Sequence, residues 1–229
     1  LTAKDFIITS SEKDKEKYEL YWKKTQTYLN EAIEIIKDPE RIKIINQVGL
    51  SLEEYHIGFK QVVKYNEEKN QLVKNILDVN GPAIEKKLTK ILLSAKNDGD
   101  VIAAYDASLA TRSLLLSRLY ALKFLNTNDQ SAIDRVHKEF IAMNEELTTL
   151  DRDLQNPTRR ALLAEVIKGQ DSYLKAFTKI TKAIINRNKI INNKLNKIGP
   201  TVAKMTEDLK LSIKDAQDKH TNYLNLLAK

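Results

Sequence analysis

The stretch Asp78-Val79-Asn80-Gly81-Pro82 returns 118 residues later as Asn196-Lys197-Ile198-Gly199-Pro200. The pairing extends outward in both directions without a gap. Pro39 meets Pro157, Tyr55 meets Tyr173 and Phe59 meets Phe177. Phe6 meets Phe124, Thr9 meets Thr127, Asn70 meets Asn188 and Leu77 meets Leu195. The chain has four prolines, and all four pair. Ungapped matching of the rarest residue types implies two copies of one unit.

Each copy is punctuated alike. A polar break comes first, Thr9-Ser10-Ser11-Glu12 or Asn126-Thr127-Asn128-Asp129, with side-chain oxygens suited to capping a helix. A helical run follows and ends at Asp38-Pro39 or Asn156-Pro157. Asp or Asn before Pro suits an N-cap with Pro at the first helical position. A much longer helix then begins. In the first copy it reaches the turn signal Asn97-Asp98-Gly99-Asp100. Six helices are therefore predicted, at 1–9, 12–37, 40–97, 100–125, 129–155 and 157–226. The third and sixth are about twice as long as the rest, so each spans two short ones end to end at about 1.5 Å per residue. The expected fold is all-α, two four-helix bundles stacked on one axis. One module, called proximal, takes 1–10, 69–126 and 187–229; the other, called distal, takes 11–68 and 127–186. Residues 101–118 precede Leu119, the partner of Leu1, so the offset predicts a chain that begins inside its first helix, with both ends at one end of the rod.

Composition agrees with this fold and narrows the function. Six glycines and four prolines in 229 residues leave few turns, which excludes a hairpin-rich sheet. No apolar run approaches the roughly 18 residues a membrane span needs, and no signal-peptide core is present. Cysteine is absent, which removes disulfides, thiolate catalysis and thiolate metal sites and fits an oxidising compartment. The net charge of +7 comes from 38 basic and 31 acidic residues dispersed along the chain. It reads first as a solvated, mixed-charge helical surface; beyond that it favours anionic ligands or an anionic membrane surface over nucleic acid, for which no motif exists. Phosphate loops, HExxH and nucleophile elbows are missing. Glu145 and Glu146 are adjacent in a helix, point apart and cannot work as a dyad. Three scattered histidines give no metal site. No catalytic residue, metal or cofactor is expected.

Two segments resemble a known family. ATRSLLLSRLYALKFLNTND (110–129) is similar to the pattern of bacterial periplasmic helical sensor domains. IGPTVAKMTEDLKLSIKDAQD (198–218) resembles the close of the helical bimodular sensor domain of methyl-accepting chemotaxis receptors. The resemblance covers nearly the whole chain. It implies a periplasmic sensor tethered by flanking transmembrane helices outside this chain, a homodimer, and signalling by helix displacement. It also implies small carboxylate ligands: C4-dicarboxylates in the proximal module and acetate-like acids in the distal one. Two other readings stay open, a sensor-kinase ectodomain that reads a periplasmic binding protein and a helical spacer.

Candidate ligand contacts follow from helical spacing. Tyr105, Ser108, Leu109, Arg112, Leu115, Leu116, Leu119 and Leu122 form an apolar stripe. Arg112 on that stripe would need an anion: a bound carboxylate, Glu85, or a dimer partner. A turn near residue 98 sets residue 112 level with 85, and 116–117 level with Gly81-Pro82. Pro82 and Pro200 cannot bond to the carbonyls of Asp78 and Asn196, so paired kinks are expected beside the proximal site. Thr111, Lys86 and Lys204 are further proximal candidates. Arg187 and Asn188 adjoin the seam of the sixth helix, as a ligand contact or as a register-fixing polar pair. In the distal module, Trp22, Tyr55, Tyr173, Arg135 and His137 form an aromatic and basic set, either plain core or an acetate-sized site.

Overall fold

Side-chain caps start most of the helices. In the computed structural model, which describes residues 2–227, α1 (Thr2–Thr9) is followed by α2 (Glu12–Ile35). Ser11 caps α2 by accepting from the Asp14 amide at 3.1 Å. Asp38 accepts from the Arg41 amide at 2.9 Å, and α3 (Pro39–Leu72) begins. A π-turn at Val73–Leu77 joins α3 to α4 (Asp78–Asn97) as one long helix. Asp100 caps α5 (Val101–Thr127) through the Ala103 amide at 3.1 Å. Then come α6 (Gln130–Asp153), α7 (Pro157–Ile190), a second π-turn at Ile191–Leu195, and α8 (Asn196–Leu227). Asn156 accepts from the Arg159 amide at 3.1 Å, so both Asx-Pro starts hold as expected. Among the described residues the chain is thus six helices, two of them long, with no strand. None is long and apolar enough to cross a membrane.

The 118-residue period recurs in the elements. The bounds of α2 and α6, of α3 and α7, and of the two π-turns differ by 118 at both ends (130 − 12, 157 − 39, 191 − 73). The left-handed residues Ser10 (φ 55°) and Asn128 (φ 59°) fall at the same interval. Each π-turn ends five residues before an internal proline, Pro82 or Pro200. There the amides of Asp78 and Asn196 bond to the carbonyls of Val73 and Ile191. The expected kinks therefore take the form of a widened turn that accommodates the prolyl ring and the missing donor.

The chain divides into two compact units, but not along the expected modules. Unit 1 takes Leu1–Asn66 and Asn186–Lys229; unit 2 takes Glu67–Ile185. Leu1, Ala228 and Lys229, which the expected modules include, lie outside the described residues. The sequence reading put the fourth and fifth helices into different modules. In the structure α5 and α6 lie side by side in unit 2. The left-handed Asn128 reverses the chain, and Arg135 of α6 covers the Tyr120 ring of α5 at 5.1 Å. In unit 2 the core gathers Leu114 and Phe124 of α5, Phe140 and Met143 of α6, Leu163 and Phe177 of α7, and Leu88 of α4, all within 2% of full burial. Unit 1 has a smaller core, Ala3, Phe6, Tyr18, Phe59, Val62, Val63 and Leu195.

The face of α5 also differs from expectation. Its buried side is Ala103, Ala107, Ala110, Ser113, Leu114, Ser117 and Ala121, mostly small residues that let helices approach closely. The stripe read as inward faces out: Tyr105, Leu115, Leu119 and Leu122 are 61%, 48%, 58% and 56% exposed.

Candidate functional site

A cleft of about 420 Å³ in unit 2 is built where α4, α5 and α7 meet the first π-turn. Val73, Leu77, Leu115, Leu119, Leu122 and Leu125 give it apolar walls. Its polar groups are Arg118 from α5, Tyr173 from α7 and Asp78 from the end of the π-turn. Arg118 is seated by an absence. Gly81 is buried in α4, and a Cβ there would lie 2.8 Å from the Arg118 Nε and 3.1 Å from its Cδ. The guanidinium stem thus occupies the space a side chain would take. Among the described residues Arg118 makes no ion pair within 4.0 Å. Burial pushes the Tyr173 hydroxyl pKa up to about 12, with Arg118 opposing and Asp78 adding. That hydroxyl therefore stays protonated as a hydrogen-bond donor. A forked cation and a neutral donor in an apolar cleft are what a carboxylate group needs.

Unit 1 has a cleft of a different kind, about 490 Å³, lined by Tyr18, Tyr21, Trp22, Leu52 and Tyr55 with Asp5, Lys17 and Thr25. Trp22 lies parallel to His56 at 4.1 Å and 4°, and the Tyr18 hydroxyl pairs with His56 Nδ1 at 3.3 Å. Tyr18 also stacks on Phe59 at 3.7 Å. The Lys17–Asp5 ion pair at 3.4 Å closes one side. Burial raises the pKa of both Tyr18 and Tyr55 and lowers that of His56.

The expected contacts are redistributed by this geometry. Arg112 is exposed, because the stripe that carries it faces outward, so no buried counter-charge is required. Thr111 donates its hydroxyl to the Ala107 carbonyl at 2.7 Å. Lys86 and Lys204 are exposed. Arg187 donates to Asn188 Oδ1 at 3.1 and 3.0 Å and to Asn66 Oδ1 at 3.4 Å, so this pair ties α7 to α3 within unit 1. Burial lowers the Arg187 pKa. Of the distal set, Trp22 and Tyr55 do share one cleft. Arg135, His137 and Tyr173 belong to the other unit. There Arg135 is engaged by Glu139 at 2.6 Å, and His137 meets the edge of Phe177 at 6.2 Å. The residue that sequence reasoning missed is Arg118. Its signal was present: the predicted register set 116–117 level with Gly81, and a helical glycine facing a long side chain marks a close approach.

No protein family and no curated protein matches the chain.

Proposed function

We propose that this chain is the ligand-reading domain of a chemoreceptor-type membrane sensor, working in the periplasm on a small organic acid such as a C4-dicarboxylate. The observation that carries the reading is Arg118, a guanidinium without an ion pair among the described residues, in an apolar cleft beside the protonated Tyr173 hydroxyl. The cleft abuts the π-turn, where the helix holds an i→i+5 bond from Asp78 to Val73. Such a turn has a neighbouring α-helical register within reach. An acid that binds one register better shifts the population toward it and displaces α4 along its axis. The exposed α5 stripe supports a homodimer. Tyr105, Ser108, Arg112, Leu115, Leu119 and Leu122 alternate steps of three and four, the repeat of a two-helix seam. A second copy on that stripe would cover the leucines that wall the cleft.

Thermal-shift titration with malate, succinate, citrate and acetate tests the reading. At about 100 times Kd, a specific acid adds about 2.7 kcal/mol to folding stability and raises Tm accordingly. Arg118→Ala should abolish the shift and Arg112→Ala should keep it. Gly81→Ala should weaken the acid's affinity while leaving the fold intact, because only the flexible Arg118 stem must move. If no small organic acid moves Tm, or Arg118→Ala keeps the full shift, the proposal is wrong.

A further inference from the structure

At the far end of α5 from this cleft, a second and chemically opposite cavity lies in unit 2. It has about 130 Å³ and is lined by Asp100, Ile102, Ala103, Asp106, Leu150, Asp153 and Leu154. It sits where the first turns of α5 meet the last turn of α6. Three of its residues are carboxylates, and nearby cations are already taken. Arg152 holds Asp153 through two bonds, at 2.8 and 2.9 Å. Arg159 holds Asp98 at 3.1 Å and reaches Asp100 at 3.6 Å. Asp100 also caps α5. Asp106 is left over. It is only 6% exposed, and its Oδ2 has no hydrogen-bond partner among the described residues. Burial raises its pKa, Asp153 and Asp100 raise it further, and Arg152 opposes; Glu146 is shifted in the same direction, partly by Asp106. A buried carboxylate oxygen without a donor is costly, so native structures seldom leave one so.

We infer that this cavity is a binding site for a small organic cation, an alkylammonium whose N–H groups would satisfy Asp106. The site needs a ligand that carries both positive charge and hydrogen-bond donors. Among the described residues no group of three His, Cys, Asp or Glu side chains is placed to hold a metal ion. The aliphatic floor of Ala103, Ile102, Leu150 and Leu154 suits a short alkyl chain. The volume sets the size: an apolar cavity of about 150 Å³ admits benzene, so about five or six heavy atoms fit here. The inference stands apart from the acid-reading cleft and does not depend on it.

The test is titration of the whole chain with n-propylammonium chloride against sodium chloride at equal ionic strength, read by thermal shift. The amine should give a saturable rise in Tm that sodium does not give. Asp106→Asn should remove that rise while leaving any shift caused by malate unchanged. On the unaltered protein, NMR should show the amine perturbing the Ala103 and Leu150 signals, which keeps the proposal testable if the variant folds poorly. An equal rise with sodium, a rise retained in Asp106→Asn, or perturbations away from Ala103 and Leu150 would overturn the assignment.

Discussion

Units 1 and 2 run through matching elements, yet they enclose different things. In unit 2, α4 buries Gly81, Ile84, Leu88, Ile91 and Ala95 against a 27-residue α5. In unit 1 the corresponding α8 buries no residue, and α1, at the position of α5 in the repeat, has eight residues. Equivalent positions have also taken on different chemistry. Arg159 is 5% exposed and ion-paired, whereas Arg41 is partly exposed and bonds Ser212 at 3.2 and 2.9 Å. Gly81 makes room for Arg118, whereas a Cβ at Gly199 would meet Tyr55 at an ordinary 3.5 Å. His56 stands where unit 2 has Leu174. A shared backbone plan thus sets where helices start and bend. The side chains at its equivalent points decide which unit sets a guanidinium in its cleft and which stacks rings.

The strongest test of equivalence is in the two cores. Phe59 and Phe177 are both fully buried. Phe59 meets Phe6 at 5.4 Å and Tyr18 at 3.7 Å, and Phe177 meets Phe124 at 5.9 Å. Truncation to Ala at either site should cost about 3–5 kcal/mol, from lost transfer energy plus the cavity left behind. Urea unfolding followed by circular dichroism measures it. A loss at one site less than half that at the other would break the equivalence of the two cores.

The arginine pair should show a smaller and deliberately unequal effect. Asp98→Ala strips Arg159 of its nearest acceptor, while its Nε and Nη1 already have none. The expected cost is about 2 kcal/mol, because a buried guanidinium keeps only the longer contact to Asp100. Ser212→Ala in unit 1 should stay within about 0.5 kcal/mol, as an exposed contact readily replaced by water and still backed by the Ser212 carbonyl. Equal losses would mean that burial of Arg159 does not govern its energetics.

How much of this was legible in the sequence depends on the element. The helix starts were, since Ser11, Asp38, Asp100 and Asn156 are local signals read within a few residues. The α4–α5 register was nearly so, because the Gly99 turn fixes it: Arg118 faces Gly81, one residue from the predicted level. The inward face of α5 was not. Periodicity favours large apolar side chains, and Leu115, Leu119 and Leu122 outweigh Ala107, Ala110 and Ser117 on any hydrophobic scale. Close helix packing inverts that ranking by burying small residues. That difference moved the candidate cation from Arg118 to Arg112, about a third of a turn round the helix. The division into units was hidden for a related reason: nothing local in Asn126-Thr127-Asn128-Asp129 says whether α6 continues past α5 or folds back along it.

The smallest effect concerns pH, and its group, His56, lies in unit 1. Burial lowers the pKa of His56, Glu19 and Glu53 oppose, and Lys60 adds to the fall. His56 is 8% exposed, between Trp22 at 4.1 Å and the Tyr18 hydroxyl at 3.3 Å. Below the ordinary histidine pKa of about 6.5 the unfolded chain takes up a proton that the folded chain resists. Folding stability should therefore fall as pH drops below that value, until the depressed folded pKa is reached. The Trp22 face partly offsets this by attracting an imidazolium, which keeps the effect small. His56→Leu, the residue unit 2 has at this point, should flatten the decline between pH 7 and 5 in urea unfolding. Asp106 and Glu146 act with the opposite sign, since burial raises their pKa and their stabilising contribution is lost as pH rises through it. They remain in the variant, so they cancel from the difference between the two pH profiles. A decline that survives His56→Leu unchanged would show that the ring stack, and not the neutral state of His56, is what distinguishes unit 1.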